Sequence, residues 1–344
     1  MKPISRKTKS ICIALILCVL LIIFSADCMS AALSGFNMWL NLVMPSIFPF
    51  FVCMALMRDS GLFDAGRKTF VLTLFFSSAV SGAPSGSRLC AHLSETGVID
   101  SSKLSFFCAA CNMASPAFIT GTLAALAGSG VVLPVLAGHY GASLIMLLFM
   151  RKALKPELKV YEQKPIKPFF TMLCDAIGEA TLAAARICGV IVFFTVLLTL
   201  IIKVTMLLNI SVQSRLYILL LSSFEMTNGC ALISSLGLPY SVSCALYAAC
   251  ISFGGLCIMA QSGTVCQLSA KKYLPRKLLL SAIAGTLAYL VSLLIPRNEA
   301  VFSNGAETLG QAVTGSLSLA VIALSSLIGV GVVWLFCVSR ARRA

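Results

Sequence analysis

The chain has 344 residues, of which 59% are hydrophobic and 11% are charged, whereas charged residues make up about 25% of a soluble domain. This composition excludes an ordinary soluble protein and predicts an integral membrane protein in contact with lipid. The 26 Lys and Arg residues outnumber the 12 Asp and Glu residues, but they fall in short runs between apolar segments, which fits the positive-inside rule and excludes nucleic acid as a partner.

The chain alternates between apolar segments long enough to cross a membrane and apolar segments that are interrupted. We expect the first apolar run, which follows the basic MKPISRKTKS, to stay as an uncleaved span, and the alternative is a signal peptide cleaved within SADCMSAALSG. Gly, Pro and polar residues interrupt two further segments, which indicates re-entrant helical hairpins. The predicted spans are 11–26, 38–57, 104–127, 131–150, 186–208, 243–266, 278–296 and 313–337, and the hairpins are 70–92 and 214–236.

The order of these segments predicts an internal repeat. A span, a hairpin and a broken span follow one another twice, and placing the large basic runs in the cytoplasm gives the two halves opposite orientations and both termini cytoplasmic. Inverted repeats with interrupted helices are typical of secondary transporters. We therefore predict an all-α membrane protein of eight transmembrane helices and two hairpins. Its divisions are 1–34 (basic segment and first helix), 35–150 (first repeat and following helix), 151–168 (basic cytoplasmic loop), 169–296 (second repeat and following helix) and 297–344 (last helix and basic tail).

The first hairpin carries the motif SGAPSGSR. Its glycines permit a tight turn, and a helix that starts there presents free N–H groups to an anion. Arg88 adds a planar cation suited to a carboxylate or phosphate. We predict that Ser85, Gly86, Ser87 and Arg88 bind substrate, and the structural alternative is a tight hairpin tip with Arg88 at the membrane surface.

The two broken spans carry polar residues beside helix-breaking ones. Asn112 and Ser115 precede Pro116, which removes a backbone donor and frees carbonyl groups. Gln261 and Ser262 occupy the matching part of the second half, within FGGLCIMAQSGT. We predict that these four polar residues bind substrate, and the alternatives are an ordinary kink in the first half and close packing through small residues in the second.

The second hairpin places Glu225 in the motif FEMTNG, in an otherwise apolar stretch. A carboxylate in lipid is costly, so the hairpin tip is expected to line a polar cavity. We predict that Glu225 carries a coupling ion, H⁺ or Na⁺, and that Thr227 and Asn228 bind substrate. The structural alternative is a hydrogen bond from Glu225 to the backbone of its own hairpin.

Sequence motifs of enzymes are missing. The chain contains no GxxxxGK[ST], HExxH or GxSxG pattern, so we predict that it is not an enzyme. Most of the 15 cysteines lie in apolar runs as small buried residues. Cys108 and Cys111 form a CxxC without a second pair, and His92 and His139 are the only histidines. No metal site, His relay or cofactor is therefore expected.

The motifs PSIFPFF, SGAPSGSR, CNMASPAF and EMTNG, in this order, resemble those of the YlbJ-type sporulation integral membrane proteins, across about residues 35–296. That family belongs to the nucleoside-recognition or Gate domain group, which is similar to concentrative nucleoside transporters. The resemblance implies the forespore membrane of a spore-forming Firmicute and movement of dipicolinate into the spore. PSGSR stands here where the family pattern has PSGAK, and ACNMASP stands where it has FCNxxSP.

The leading hypothesis is a secondary transporter for a small, planar, anionic solute. A nucleoside or nucleobase carrier is an alternative, although no aromatic pair is placed to stack a base. A non-transporting membrane scaffold for spore envelope assembly is another alternative, but it does not need polar side chains at both hairpin tips. The coupling ion, the direction of transport and the oligomeric state stay open.

Overall fold

The computed structural model describes residues 6–59, 70–83, 85–95, 97–151, 167–209, 214–266 and 268–295, which are helical and contain no β-strand. π-helical turns at Trp39–Val43 and Phe118–Leu123 and a 3₁₀ turn at Ser129–Val131 connect several of the helices. The α-helices are α1 (Arg6–Ile23), α2 (Ser25–Met38), α3 (Met44–Asp59), α4 (Phe70–Ser81), α5 (Ser85–Glu95), α6 (Leu104–Cys111), α7 (Ala124–Ala127), α8 (Val132–Phe149), α9 (Phe169–Leu207), α10 (Arg215–Ser222), α11 (Met226–Ser234), α12 (Tyr240–Phe253), α13 (Gly255–Cys266) and α14 (Ala270–Leu294).

Within the described residues, four helical stretches are long and apolar enough to cross a membrane, and the bent pair Ser10–Ile23 and Ser25–Val43 makes a fifth if it is one span. The two arms of that pair meet at 96°. The predicted span 313–337 lies outside the described residues, as do most of the predicted loop 151–168 and the segment 297–344. The four stretches are Ser129–Phe149, Phe169–Leu207, Tyr240–Gly263 and Ala270–Leu294.

The predicted boundaries need two corrections. The span predicted at 186–208 belongs to α9, which starts at Phe169 and runs unbroken for 39 residues; it contains no proline, and its glycines do not interrupt a helix that packs against neighbours. The span predicted at 38–57 is the second part of a helical stretch that runs from Ser25 to Asp59, with a π-helical turn in the middle.

Two groups of helices form the body of the protein. In the first, α14 packs along both α8 and α12, and the buried contact residues include Ala142, Ala248, Ala284 and Ala288. Small residues let membrane helices approach closely. In the second, α9 packs against α2 and α3, and Lys203 of α9 forms a partly exposed ion pair with Asp27 of α2 at 2.6 Å.

Large apolar side chains face outward and many polar side chains face inward. Phe149, Phe170 and Leu294 are each 78–83% exposed, which would be unfavourable in water and is expected for a surface in contact with lipid. In the described part of the chain, two side chains that carry a formal charge, Glu225 and Lys277, are buried. Because buried charges are costly without partners, their surroundings define the candidate site.

Candidate functional site between hairpin tips and helix breaks

The tip of the first helical pair packs against a break in the next helix. Helices α4 and α5 contact each other on either side of residues 82–84, and α5 packs against α6. A β-carbon on Gly86 would lie 1.9 Å from the carbonyl oxygen of Cys111, so only glycine permits this approach. After Cys111 the chain is non-helical from Asn112 to Ser115 before it is helical again over 116–127.

The second helical pair repeats this arrangement. Helices α10 and α11 pack on each other on either side of residues 223–225. The N–H groups of Leu256 and Cys257, in the first turn of α13, donate to the carbonyls of Ser223 and Phe224 at 3.0 and 3.1 Å. Gly255 has a φ of +81° and lies so close that a β-carbon there would sit 2.7 Å from the Phe224 oxygen. The hairpin tip therefore closes onto the break between α12 and α13.

Between the two tips lies a cavity of about 70 Å³, which is room for a few water molecules. Its polar lining consists of Ser115, Glu225, Thr227 and Gln261, and much of its apolar wall comes from α9, from α3 and from Val43 just before α3. Gly82 and Ala83 of the first tip complete the wall. The cavity therefore brings together both tips and both breaks.

Four helical segments begin at the wall of this cavity. They are α5, which follows Gly82 and Ala83, the segment 116–127, which follows Ser115, and α11 and α13, whose first turns contain Thr227 and Cys257. The N-terminal end of a helix carries a partial positive charge. The first N–H groups of α11 and α13 already donate to Glu225 and to the carbonyls of Ser223 and Phe224, so the convergence of the four helix dipoles, and not free N–H groups, favours negative charge at the cavity.

The carboxylate of Glu225 is the negative group that this arrangement already holds. Its Oε1 accepts a hydrogen bond from the Thr227 N–H at 2.9 Å, and its Oε2 accepts from the Asn228 N–H at 2.8 Å and from Asn228 Nδ2 at 3.1 Å. Glu225 therefore caps the N-terminus of α11 with its own side chain. Thr195 of α9 donates to Asn228 Oδ1 at 3.1 Å, which orients the amide toward the carboxylate.

Three residues that the sequence analysis did not select hold the first break open. The ammonium of Lys277 donates to the Asn112 carbonyl at 2.9 Å. His139 Nε2 accepts from the Ala114 N–H at 3.0 Å, and the Tyr140 hydroxyl donates to the Ala114 carbonyl at 2.8 Å. Since Nε2 accepts, the proton of His139 is on Nδ1, which donates to Ser252 Oγ at 2.8 Å.

A second polar cluster lies behind the break, away from the cavity lining. Asn112 Nδ2 donates to Ser262 Oγ at 2.7 Å and to the Tyr273 hydroxyl at 3.1 Å. Ser87 Oγ donates to Ser262 Oγ at 3.2 Å. Among the described residues Asn112 Oδ1 has no hydrogen-bond partner. The cluster joins α5, α13 and α14 to the break, so it connects the two halves of the chain.

The predicted site residues thus fall into separate groups. Glu225, Ser115, Thr227 and Gln261 line the cavity, and Asn228 binds Glu225. Ser87, Asn112 and Ser262 form the buried cluster, and Gly86 supplies a close backbone contact. Arg88 is exposed on α5 and does not line the cavity. Ser85 is the first residue of α5.

The sequence contained signals for Lys277 and His139, but these signals also fitted a non-functional interpretation. Lys277 belongs to the run KKYLPRK, which was assigned as a block to the cytoplasm, although it lies within α14 and is 1% exposed. His139 was set aside because the chain has only two histidines. A lysine directly before LLLSAIAG and a histidine within VLAGHYGA are each ionisable groups in apolar surroundings, which is the pattern that marks functional positions in membranes.

No cluster of three or more His, Cys, Asp or Glu side chains within the described ranges has the arrangement of a metal site. The CxxC cysteines are buried, and Cys108 Sγ lies 3.7 Å from Cys266 Sγ of α13. Comparison of the chain with protein-family models, curated proteins and solved structures finds no match.

Replacing Arg88 distinguishes its two possible roles, as a substrate ligand or as a side chain at the membrane surface. On the sequence-based hypothesis of an anion transporter, the exposed position of Arg88 predicts that Arg88→Gln changes uptake by less than about threefold, the range of an exposed charge of small energetic weight. Uptake by reconstituted vesicles measures this, with Arg88→Lys as the charge-retaining control. An uptake near zero in Arg88→Gln together with substantial uptake in Arg88→Lys would identify Arg88 as a substrate ligand.

Proposed function

We propose that this chain is a secondary transporter that moves a small, planar, anionic solute across the membrane through the cavity between the hairpin tips. The observation that carries this proposal is the convergence of both tips and both helix breaks on one polar cavity that holds a buried carboxylate. A scaffold protein has no need for that arrangement, whereas alternating access around a central site depends on it.

The electrostatics of the cavity support an anionic solute. Four helical segments begin at its wall, and their N-terminal ends favour negative charge. The negative ends of α6 and α12 are placed elsewhere, because the carbonyls of Asn112 and Ser252 face the Lys277 ammonium. Glu225 repels an anion unless it carries a cation, so within this proposal it is the coupling residue, with H⁺ or Na⁺ as its passenger.

The order of elements supports the finer topology proposed here. A helical stretch, a hairpin and a broken helix occur as α2–α3, α4–α5 and α6 with 116–127, and again as α9, α10–α11 and α12–α13. Eight crossings, two re-entrant hairpins and an inverted repeat follow if these triplets have opposite orientations. On the resemblance to YlbJ-type proteins, the membrane is that of the forespore and the solute is dipicolinate.

The size of the cavity bears on the mechanism. At about 70 Å³ it is well below the roughly 300–1,000 Å³ of small-molecule sites, so within this proposal the cavity enlarges on loading as one tip withdraws from its break. The contacts to be broken at the second tip are the two backbone hydrogen bonds from Leu256 and Cys257. Movement of a hairpin away from a fixed site is one of the ways in which transporters alternate access.

The function is tested by uptake of labelled dipicolinate into lipid vesicles that contain only this protein. We expect saturable uptake that exceeds that of protein-free vesicles and is inhibited by unlabelled dipicolinate but not by a nucleoside. Uptake of the nucleoside in place of dipicolinate would favour the nucleoside carrier. No uptake of either solute, with protein that is folded and inserted, would favour the scaffold.

The topology gives a separate prediction. We expect a single cysteine placed at position 162, in a cysteine-depleted chain, to react with a membrane-impermeant thiol reagent only when the cytoplasmic face is accessible. Glu162 lies outside the described residues, within the strongly basic segment 151–168. Labelling of this cysteine from the outer face of intact cells would contradict the proposed orientation.

A further inference from the structure

The only buried ammonium in the described part of the chain lies where two broken helices end. Lys277 Nζ donates to the Asn112 carbonyl at 2.9 Å and to the Ser252 carbonyl at 2.8 Å. Asn112 is the residue that follows α6, and Ser252 is in the last turn of α12. One cation therefore binds the C-terminal ends of the interrupted helix in each half of the chain.

These carbonyls are the groups that bind a free cation in other membrane proteins. The C-terminal end of a helix carries a partial negative charge of about half an elementary charge, so two such ends call for about one positive charge. Unwound backbone carbonyls and half-helix C-termini coordinate Na⁺ in transporters with discontinuous helices. Lys277 supplies that charge from a side chain, and it is 1% exposed.

Among the described residues, Lys277 has no carboxylate beside it with which its ammonium would form an ion pair. The titratable groups that face it are His139 of α8, the thiols of Cys108 and Cys111 of α6, and Tyr273 one turn earlier on α14, whose hydroxyl binds Asn112. The helix ends are therefore its main electrostatic partners.

We infer that the Lys277 ammonium is a tethered cation that takes the place of a free coupling cation between the ends of α6 and α12, so that this chain needs no sodium there. The inference rests on the proposed transport function and deepens it, since it leaves Glu225 as the group that carries the coupling ion. Lys277 is a positioning residue in this scheme: through Asn112 it holds the segment 112–115, whose last residue, Ser115, lines the cavity.

The test compares two variants that differ in the space they leave. Lys277→Met keeps the volume of the side chain and removes the charge, whereas Lys277→Ala opens a space that matches n-propylammonium. We expect both variants to unfold at a lower temperature than the original chain in detergent. We expect uptake by each to be roughly tenfold lower, the effect of losing hydrogen bonds to a charged group.

Chemical rescue then distinguishes charge from packing. n-Propylammonium chloride is expected to raise the unfolding temperature of Lys277→Ala in a saturable way, with no effect on Lys277→Met or on the original chain. The neutral 1-propanol, of the same shape, is the control and should not rescue. Equal rescue by both compounds, or none by propylammonium, would overturn the inference, as would Lys277→Met behaving like the original chain.

Further outcomes keep this test separate from that of the transport function. If Lys277→Ala does not fold, the unfolding temperature of Lys277→Met decides, because the inference requires it to fall. If vesicles take up no dipicolinate, the proposed function fails, but the unfolding measurements still test Lys277.

Discussion

Glu225→Gln is expected to bind dipicolinate but to lose uptake that is driven by an ion gradient. Glutamine resembles the protonated carboxyl group and does not release a proton, so exchange of substrate for substrate should persist while coupling is lost. The substitution also has a structural effect, because Oε2 of Glu225 accepts two hydrogen bonds and an amide nitrogen there would face both donors. We expect a loss of stability of about 1–3 kcal/mol from that mismatch.

Glu225→Asp is the matched control, since it retains a carboxylate and aspartate is a good N-terminal cap. We expect it to keep part of the gradient-driven uptake. Vesicles with an imposed proton gradient measure coupling, and counterflow of labelled against unlabelled dipicolinate measures exchange. Full gradient-driven uptake by Glu225→Gln would limit Glu225 to its capping role in α11, and loss of binding would make it a substrate ligand.

Gly86→Ala is expected to abolish uptake and to destabilise the protein by about 3 kcal/mol or more, at the upper end of overpacking penalties. The added methyl group would meet the Cys111 oxygen at 1.9 Å, and its nearest neighbours are backbone atoms that a rotamer change cannot move. The first tip must therefore withdraw from its break, which shifts the N-terminal end of α5 relative to the cavity. Thermal unfolding in detergent and vesicle uptake measure the two effects.

Gly178→Ala provides the matched control in another helix. A β-carbon at Gly178 of α9 meets nothing within 4 Å, and alanine in a helix is favoured over glycine by roughly 0.5–1 kcal/mol. We expect this variant to unfold at or slightly above the temperature of the original chain and to transport normally. If Gly86→Ala behaved like Gly178→Ala, the close packing of tip and break would not be required for function.

Local signals predicted much of this architecture. Proline and paired polar residues at CNMASP predicted the break in the third span, and the chain is non-helical from Asn112 to Ser115. Glycine-rich and polar motifs predicted both interruptions, at residues 82–83 and 223–225. For Glu225 the sequence allowed either ion coupling or a hydrogen bond to the backbone of its own hairpin. The contacts of Glu225 with the N–H groups of Thr227 and Asn228 are those hydrogen bonds. Ion coupling by Glu225 stays a prediction.

The pairing of residues within the site depends on distant parts of the chain, which a local pattern does not show. Lys277 lies 165 residues from Asn112 and 25 from Ser252, and no periodicity connects them. The division of polar residues between the cavity and the cluster around Asn112 is set by which helices pack together. The number of crossings stays a prediction. Four or five stretches of the described residues are long and apolar enough to cross a membrane, and apolar composition alone does not distinguish a full crossing from a short packed helix such as α6.

The central claim, that substrate occupies the cavity between tips and breaks, is tested by protection of a single cysteine from alkylation. Gln261→Cys in a cysteine-depleted chain places a thiol in the cavity lining, and Ser235→Cys places one at the exposed end of α11. We expect saturating dipicolinate to slow alkylation of the cysteine at position 261 roughly tenfold or more, as for a bound ligand present well above its Kd, and to leave that at position 235 unchanged. Equal alkylation rates at position 261 with and without dipicolinate, in protein that still takes it up, would contradict the claim.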